Sequence, residues 1–382
     1  MKRYLGDVCH FYTGTGFPTE YQGKTSGELP FYKVGDISNN AAAGNTRLSM
    51  CNNYISRQEA NELKGTILPA GTIVFAKIGE ALKLNRRAIT NCDCLVDNNV
   101  MGIAPDTEVL RIGFFFYFMK QLKMQTLAES TTVPSVRKSK LESVEITVPS
   151  IEEQIEIERK LQATDSIIQK RKQQLSALDD LIKARFVEMF GDEKNLMIMN
   201  DVCSIITDGT HQPPKFKDVG IPFIFVSNIT GDRVKYDAEK FIDQDTYDEL
   251  IKRTPIEIGD ILLSTVGSYG HPAVVKTDKK FLFQRHIAYL KPKKDLVDSD
   301  YLHGAILSPD AQHQIEEGVK GIAQKTLNLS EIKKMRIPVP NLDRQNEFSE
   351  FVAQIDESKS VIQKSLDETR LLFDSLMQKY FG

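Results

Sequence analysis

The sequence lacks any continuous run of about 18 apolar residues, the length that a membrane-spanning helix requires. Met1-Lys2-Arg3 is followed by strand-like sequence and not by the apolar segment of a secretion signal. Only five cysteines are present, an odd number without clustering, which is typical of a reducing compartment. Cys92 and Cys94 lie too close together and lack a second ligand pair for zinc. These absences predict a soluble, cytoplasmic protein without a metal site.

Catalytic motifs are also missing. Gly23-Lys24-Thr25 is similar to the end of a phosphate-binding loop, but Pro18 stands where that loop needs its first glycine. The segment 211–216 is similar to the Pro-Pro-aromatic motif of amino-methyltransferases, but Lys215 precedes the aromatic residue. The segment 267–270 lacks the spacing of a nucleophile elbow, and the six histidines show no metal-ligand spacing with an acid. We therefore expect a non-catalytic protein without a cofactor.

The strongest positive pattern is a long internal repeat. Ile146–Ile151 corresponds to Ile337–Leu342, and each segment leads through a glutamine into a charged stretch ending in Phe-Gly. The copies are about 190 residues apart, which indicates two domains and not a solenoid. Cys9 and Cys203 occupy equivalent positions, where small core residues are expected. With 41% hydrophobic residues, the chain of 382 residues can fill a core in each copy.

The charged stretches predict two long helices. Residues 151–190 contain no glycine or proline and would form a helix of roughly 60 Å at about 1.5 Å per residue. Both stretches carry a narrow apolar stripe, which neither helix can bury alone, so we expect them to pair in antiparallel orientation. Gly191 and Gly382 suit left-handed positions after the helix ends. The stripes consist of Leu161, Ile168, Leu175, Leu178, Ile182, Phe186 and Phe190 in the first copy, and of Phe348, Phe351, Ile355, Ile362, Leu366, Phe373, Leu376, Met377 and Tyr380 in the second.

The remaining segments predict globular α+β domains. Short β-branched or apolar runs bounded by Gly, Pro and Asn indicate strands at 29–34, 72–76, 221–226, 260–264 and 272–275. Helical stretches are expected at 111–127 and 299–317. Each copy should therefore contain a small, irregular sheet with short helices and many loops.

Basic residues cluster locally although the net charge is −3. A basic face for nucleic acid is one interpretation, and ordinary solvated surface charge is the other. The clusters are Lys77, Lys83, Arg86, Arg87, Arg137, Lys138 and Lys140 in the first copy, and Lys279, Lys280, Arg285, Lys291, Lys293 and Lys294 in the second.

Both copies place polar, glycine-containing loops at matching positions. Asn and Gln side chains can bind adenine and Arg can bind guanine, while glycines let the backbone approach phosphates. Turn formation alone also favours Gly, Asn and Asp, so each single loop is weak evidence. The pairs are 13–16 with 207–211, 77–79 with 265–268, and 98–99 with 285–286.

Taken together, the chain resembles the DNA-specificity subunit of type I restriction–modification systems. The resemblance is carried by Asp208-Gly209-Thr210-His211, by 259–267, by the Pro-Val-Pro segment 338–340 with Gln345, and by 181–191 at the end of the first long helix. It covers essentially the whole chain in the order domain, helix, domain, helix. The first domain departs from it, because Thr13-Gly14-Thr15-Gly16 replaces the Asp-Gly-Thr-His string.

The resemblance implies an α+β fold with two tandem target-recognition domains, built of small irregular β-sheets with short helices and separated by two long antiparallel coiled-coil helices in an internal pseudo-two-fold repeat. We expect target-recognition domain 1 at 1–150, a spacer helix at 151–191, target-recognition domain 2 at 192–340 and a second spacer helix at 341–382. Each domain would read half of a bipartite site in double-stranded DNA, and the coiled coil would act as a ruler. The implied partners are two methyltransferase subunits, which carry S-adenosylmethionine, and restriction subunits that hydrolyse ATP.

Two other classes of function stay open on the residues alone. A complete enzyme is disfavoured by the missing motifs, and a protein-only coiled-coil adaptor would not bind DNA. The residues expected to contact DNA, chosen by repeat equivalence, are Thr13, Thr15, Lys77, Lys83, Arg86, Arg87, Asn98, Asn99, Ser135, Arg137, Lys138, Thr210, His211, Lys215, Ser264, Thr265, Ser268, Gln284, Arg285, His286, Gln324 and Lys325.

Overall fold

The computed structural model describes residues 1–49, 51–129, 133–231, 233–321 and 325–382. The chain forms two compact units: Met1–Lys172 with Lys364–Gly382, and Gln173–Gln363. Each long helix is therefore shared between the two units. Within the described ranges, no helix has both the length and the apolar character that crossing a membrane demands.

The first repeat copy alternates short strands with short helices before one long helix. Its strands are β1 (Lys2–Tyr4), β2 (Cys9–Thr13), β3 (Leu29–Tyr32), β4 (Tyr54–Ile55), β5 (Ile73–Ala76), β6 (Arg87–Ile89), β7 (Leu95–Val96), β8 (Val100–Pro105) and β9 (Glu145–Thr147). Its α-helices are α1 (Leu5–Val8), α2 (Val34–Ala42), α3 (Arg57–Glu62), α4 (Glu80–Lys83), α5 (Ile112–Gln121), α6 (Lys138–Glu142) and α7 (Ile151–Phe190), with 3-10 turns at Thr19–Tyr21 and Met124–Leu127.

The second copy follows the same plan with additional short strands. Its strands are β10 (Leu196–Ile198), β11 (Cys203–Asp208), β12 (Ile221–Ile224), β13 (Ile229–Thr230), β14 (Arg233–Val234), β15 (Phe241–Ile242), β16 (Ile261–Ser264), β17 (Pro272–Val274), β18 (Leu282–Phe283), β19 (Ile287–Pro292), β20 (Val319–Lys320), β21 (Thr326–Leu327) and β22 (Arg336–Pro338). Its α-helices are α8 (Met199–Val202), α9 (Gln244–Leu250), α10 (Ser299–Leu307), α11 (Pro309–Gly318), α12 (Leu329–Lys334) and α13 (Leu342–Phe381), with 3-10 turns at Val226–Asn228 and Ile251–Arg253.

The sheet topology is the same in both copies. A four-stranded antiparallel sheet has the order β2-β8-β5-β6 in the first copy and β11-β19-β16-β17 in the second. A three-stranded sheet has the order β4-β3-β7 or β15-β12-β18, in which the last pair is parallel. A two-stranded ladder, β1 with β9 or β10 with β22, brings the start of each copy beside its end. The expected α+β fold and its internal repeat are confirmed.

A buried glutamine joins each long helix to the segment that leads into α5 or α10. The Gln154 amide donates to the Val109 and Pro149 carbonyls at 2.9 and 3.1 Å and accepts the Arg111 N–H at 2.9 Å. Gln345 repeats the arrangement with the carbonyls of Leu296 (3.1 Å) and Pro340 (2.8 Å) and the N–H of Asp298 (2.8 Å). Both glutamines are fully buried, and their bonds satisfy backbone groups that are buried or partly buried.

In the first unit, the beginning of α7 packs against the end of α13. Leu161 and Met377 belong to one core with the consecutive buried residues Phe114 to Met119 of α5. The Arg171 guanidinium donates to the Ser365 carbonyl and to the Thr369 hydroxyl, which fixes the antiparallel register. The apolar stripe of these segments therefore serves both the helix pair and the globular core.

In the second unit, the end of α7 packs against the beginning of α13. Phe186 and Phe190 meet Tyr301 of α10 and Phe348 of α13, with ring centroids 4.9 to 5.8 Å apart along these contacts. The Lys359 ammonium pairs with the Asp179 carboxylate across the helices. Every predicted stripe residue is buried or half-buried, so the paired helices are confirmed.

Three local expectations need correction. The segment 111–127 is not one helix, because α5 ends at Gln121 and a 3-10 turn follows. The segment 299–317 breaks at Ser308, whose hydroxyl accepts the Ala311 N–H at 3.3 Å and caps a new helix beginning with proline. Neither Gly191 nor Gly382 has a positive φ, because the N–H of each continues the helical hydrogen bonding instead.

Candidate nucleic-acid interface

Each unit presents a tight turn where the three-stranded sheet passes into the four-stranded sheet. In the first unit the Val100 N–H donates to the Asp97 carbonyl at 3.0 Å, and in the second the Ile287 N–H donates to the Gln284 carbonyl at 3.2 Å. The central residues of the turns are therefore 98–99 and 285–286. Asn98 and Arg285 therefore occupy equivalent positions in the two turns, and so do Asn99 and His286.

A glycine-threonine pair directly after β2 in the first unit, and directly after β11 in the second, packs against each turn. A Cβ on Gly14 would lie 1.7 Å from the Asp97 carbonyl oxygen, and a Cβ on Gly209 would lie 2.3 Å from the Phe283 carbonyl oxygen. Only glycine allows this approach. The matching bonds are Gly14 N–H to Val100 (3.3 Å) and Thr15 N–H to Val96 (2.8 Å) in the first unit, and Gly209 N–H to Ile287 (3.2 Å) and Thr210 N–H to Phe283 (2.9 Å) in the second.

Two further loops close around each turn. The Lys77 N–H donates to the Asn99 carbonyl at 2.8 Å, and the Thr265 N–H donates to the His286 carbonyl at 3.0 Å. Isolated bridges then pair Ile78 with Ser135 and Val266 with Thr326. Gly79 and Gly267 end these loops with φ of 77° and 75°. The four loops form what we call the loop cluster of each unit: 13–16, 77–79, 97–100 and 134–137, or 208–211, 265–267, 284–287 and 325–328.

The two loop clusters share a backbone and differ in side chains. Asn98, Asn99 and Arg285 are exposed, and His286 is half-buried. In the second unit, a cleft of about 300 Å³ brings together residues from all four loops. Its lining consists of Asp208, Thr265, Val266, Arg285, His286, Thr326, Leu327, Asn328 and Leu329.

One residue that contacts the second loop cluster was not predicted from the sequence. The Arg253 guanidinium pairs with the Asp208 carboxylate, which also contacts the His211 Nε2 at 2.9 Å. The same guanidinium lies 3.3 Å from His211 and donates to the Thr207 hydroxyl at 3.4 Å. Arg253 is 45 residues from Asp208 in the sequence, and no local pattern indicated that it would join this loop.

Three residues expected at the interface are inside the fold instead. Arg87 is 4% exposed, Ser264 is 0% and Thr265 is 5%. The Arg87 guanidinium donates to the Leu122 carbonyl at 2.6 Å and to the Asn85 side chain at 3.0 Å, and burial lowers its pKa to about 9. It therefore holds the end of α5 and presents no donor to a ligand. Thr265 takes part in the loop cluster through its backbone.

Several expected cations are already engaged by neighbouring groups. Lys83 pairs with Glu80 at 2.7 Å, Arg137 with Glu129 at 2.6 Å and Lys138 with Glu142 at 3.4 Å, while Arg86 donates to the Ser38 carbonyl at 3.2 Å. These contacts are exposed or half-exposed and hence weak. They nevertheless make these four residues poorer candidates than Arg285 at the turn of the second unit.

The other expected residues lie in or near the clusters, except Lys215 and Gln324. Thr13 is exposed beside Gly14, and Gln284 is bridged to Thr210. Ser268 is exposed after Gly267, and the Lys325 ammonium lies 6.0 Å from the Tyr269 ring. Lys215 is exposed in the loop after His211 and lies outside the four loops of the cluster, and Gln324 lies outside the described residues.

Across the ranges that the structure describes, no group of three or more His, Cys, Asp or Glu side chains is arranged to hold an ion. Hydrogen-bonding and charged groups line the loop clusters, and this type of chemistry recognises base edges and phosphates.

Comparisons with known proteins agree with this architecture. The chain is 28% identical over 177 residues to the type I restriction enzyme EcoBI specificity subunit of Escherichia coli, an alignment that covers 45% of this chain but only 37% of that protein. It is 23% identical to the type I restriction enzyme MjaIX specificity subunit of Methanocaldococcus jannaschii, with 98% of this chain and 90% of that protein covered.

A solved structure supports the fold over the full length. The S subunit of a type I restriction-modification system from M. genitalium covers 100% of this chain and 96% of its own, with a TM-score of 0.54 and 14% identity. The sequence model of the type I restriction modification DNA specificity domain matches twice, at residues 1–177 and 192–369. Since these two matches take up most of the sequence, the chain belongs to the family of type I restriction modification DNA specificity proteins.

Proposed function

We propose that this protein is the DNA sequence-specificity subunit of a type I restriction–modification complex. The observation that carries the proposal is the pair of loop clusters, which share one set of backbone hydrogen bonds but present different side chains. Two domains that recognise different half-sites require a constant backbone structure and different exposed polar side chains. The globular regions 1–150 and 192–340 are assigned as the target-recognition domains, and 151–191 and 341–382 as the spacer helices.

The loop clusters are assigned the contacts to DNA. Asn98, Asn99, Arg285 and His286 would face base edges, and Lys77 and Lys325 would face phosphates. The backbone N–H groups of the glycine loops would help to fix the register on the duplex. Arg87 and Ser264 are left out of this set because their side chains are buried.

The paired helices are assigned two roles. A stiff rod that holds two readers at a fixed distance would define the length of the unspecified spacer between half-sites. The outer helix surfaces would dock two methyltransferase subunits, because Leu181 and Leu372 occupy equivalent repeat positions and are 45% and 54% exposed. A pair of equivalent apolar side chains on two different units suits two copies of one partner.

The chemistry of the complex is assigned to its partners. Methyltransferase and restriction subunits would supply methylation and cleavage, and this chain would act in the cytoplasm without a catalytic role or a cofactor. The mismatched motifs at 18–25, 211–216 and 267–270 support this division of labour.

The test is to co-express the chain with its neighbouring methyltransferase subunit and to map methylated adenines by single-molecule sequencing. We expect two short specified blocks separated by an unspecified spacer of fixed length. An assembled, active complex that adds no new methylation would favour a protein-only adaptor and would refute the proposal.

A matched pair of variants tests the docking role. Leu181→Glu and Leu372→Glu should each remove one methyltransferase copy from the complex, and the double variant should remove both. Mass photometry of the purified complexes measures the copy number. Val361→Glu serves as a control for added charge, since its side chain is 66% exposed but its repeat counterpart is Lys170. Unchanged copy numbers in the double variant would contradict the assigned surface.

A further inference from the structure

Residues 98 and 285 occupy equivalent positions in the loop clusters of the two units. Both follow a residue whose N–H donates to the central strand of the three-stranded sheet. The Asp97 N–H donates to the Tyr32 carbonyl at the end of β3 (3.0 Å), and the Gln284 N–H donates to the Ile224 carbonyl at the end of β12 (3.1 Å). Both precede a residue whose carbonyl accepts the N–H of the next loop. Because the bonds on either side match, the Cβ of residue 98 and the Cβ of residue 285 project from equivalent points.

The side chains at this position are available to a ligand. Asn98 and Arg285 are both exposed, whereas at the following position Asn99 is exposed but His286 is half-buried. Within the described ranges, the Arg285 guanidinium forms no ion pair and the Asn98 side-chain amide forms no hydrogen bond. Arg285 also lines the cleft of the second unit.

The two side chains have different hydrogen-bonding capacities. An asparagine amide offers one donor and one acceptor side by side, which matches N7 and N6 of adenine in the major groove. An arginine guanidinium offers only donors, which match O6 and N7 of guanine. A residue at one structural position can therefore select different purines in the two units.

We infer that this position is a specificity determinant in both units, with Asn98 reading an adenine in the first half-site and Arg285 reading a guanine in the second. The inference rests on the proposed function and adds the base class to it. The competing role for Arg285 is a contact to a phosphate, which would strengthen binding without selecting a base.

The experiment exchanges the two side chains one at a time in the assembled methyltransferase complex. Wild type, Arg285→Asn and Asn98→Arg are each co-expressed with the methyltransferase subunit, and their methylated motifs are mapped by single-molecule sequencing. In Arg285→Asn we expect one G·C pair of the second block to become A·T or unspecified, with the first block unchanged. In Asn98→Arg we expect the reciprocal change, from an A·T pair in the first block.

A conservative variant separates base reading from charge. Arg285→Lys keeps the positive charge but loses the two-pronged geometry, so it should retain binding while its preference for guanine over adenine falls by roughly tenfold or more. Competition binding of the complex to duplexes that differ at that one base pair measures this preference.

The possible outcomes separate failure of the proposed function from failure of the base assignment at residues 98 and 285. A wild-type complex without a two-block motif would overturn the proposed function, and the inference with it. A two-block wild-type motif that stays unchanged in Arg285→Asn and Asn98→Arg, with only weaker methylation, would assign both residues to phosphate contacts and would overturn the inference alone. A base change in the opposite block would overturn the assignment of residues to half-sites.

Discussion

Replacing Gly14 with alanine tests whether the loop cluster of the first unit depends on close backbone approach. The new Cβ would lie 1.7 Å from the Asp97 carbonyl oxygen and 2.9 Å from that of Val96, although real Cβ contacts essentially never fall below 3.0 Å. The obstacle is main chain, so no side-chain rotation relieves it. The turn at 97–100 and the end of β2 must therefore separate.

The cost can be worked out from the bonds at stake. Separation breaks the Thr15 N–H bond to Val96 at 2.8 Å and the Gly14 N–H bond to Val100 at 3.3 Å. Each is worth about 0.5–1.5 kcal/mol, and the overpacking adds about 1–3 kcal/mol, so we expect a total of about 2–6 kcal/mol. The turn that carries Asn98 would also move, and recognition by the first unit should be lost.

Gly16→Ala is the matched control. This glycine is exposed two residues further on, no atom lies within 4 Å of its would-be Cβ, and it has no positive φ. Its substitution should change stability by less than about 0.5 kcal/mol. Urea unfolding measures stability, and methylation mapping measures recognition of each block. Equal unfolding midpoints for the two variants would refute the close approach, and equal loss of both blocks would refute the independence of the two units.

Three further predictions follow from the fold. Gln345→Ala removes the partner of three backbone groups, one buried and two partly buried, and should destabilise the second unit by roughly 2–5 kcal/mol in urea unfolding, whereas the exposed neighbour Asn346→Ala should be near neutral. Cys92 is exposed and Cys94 is fully buried, so a thiol reagent should label Cys92 first and Cys94 only on unfolding. Partial burial and Asp93 raise the pKa of the Cys92 thiol, so its labelling rate should keep rising at pH values where the rate of a free thiol has levelled off. Deleting one heptad from each long helix removes about 10 Å of rod and should shorten the unspecified spacer by roughly three base pairs, measured by methylation mapping; an unchanged spacer would exclude the ruler.

The long helices could be predicted because their signals are local and redundant. Residues 151–190 contain no helix breaker, their apolar residues repeat at helical spacing, and α7 spans that range. The strands at 29–32, 73–76, 221–224, 261–264 and 272–274 lie within the predicted runs, because Gly, Pro and Asn mark the turns that bound them. The single helix expected at 111–127 was wrong, because the Met124 N–H, which a continuing helix would direct to the Lys120 carbonyl, donates instead to the Asn85 side chain at 3.0 Å.

The site was less accessible to sequence reasoning. The repeat correctly paired 98–99 with 285–286, since the two copies align over strands that are close in sequence. Arg87 was assigned to the surface because it belongs to a basic cluster, yet it lies on β6 opposite Phe75, where its side chain enters the core. Arg253 was missed because its ion pair with Asp208 joins segments that lie 45 residues apart in the sequence.

The sequence by itself determined the repeat, the two α+β domains, the paired helices and the family, because each depends on patterns that recur within a few residues or between the two copies. Only the tertiary structure decided which polar side chains face outward, which cations are engaged by carboxylates, and that Gly14 and Gly209 admit a carbonyl oxygen where any Cβ would collide. These features depend on contacts between segments up to tens of residues apart. The physical reason is that burial and hydrogen bonding are properties of neighbours in space, and composition along the chain does not specify those neighbours.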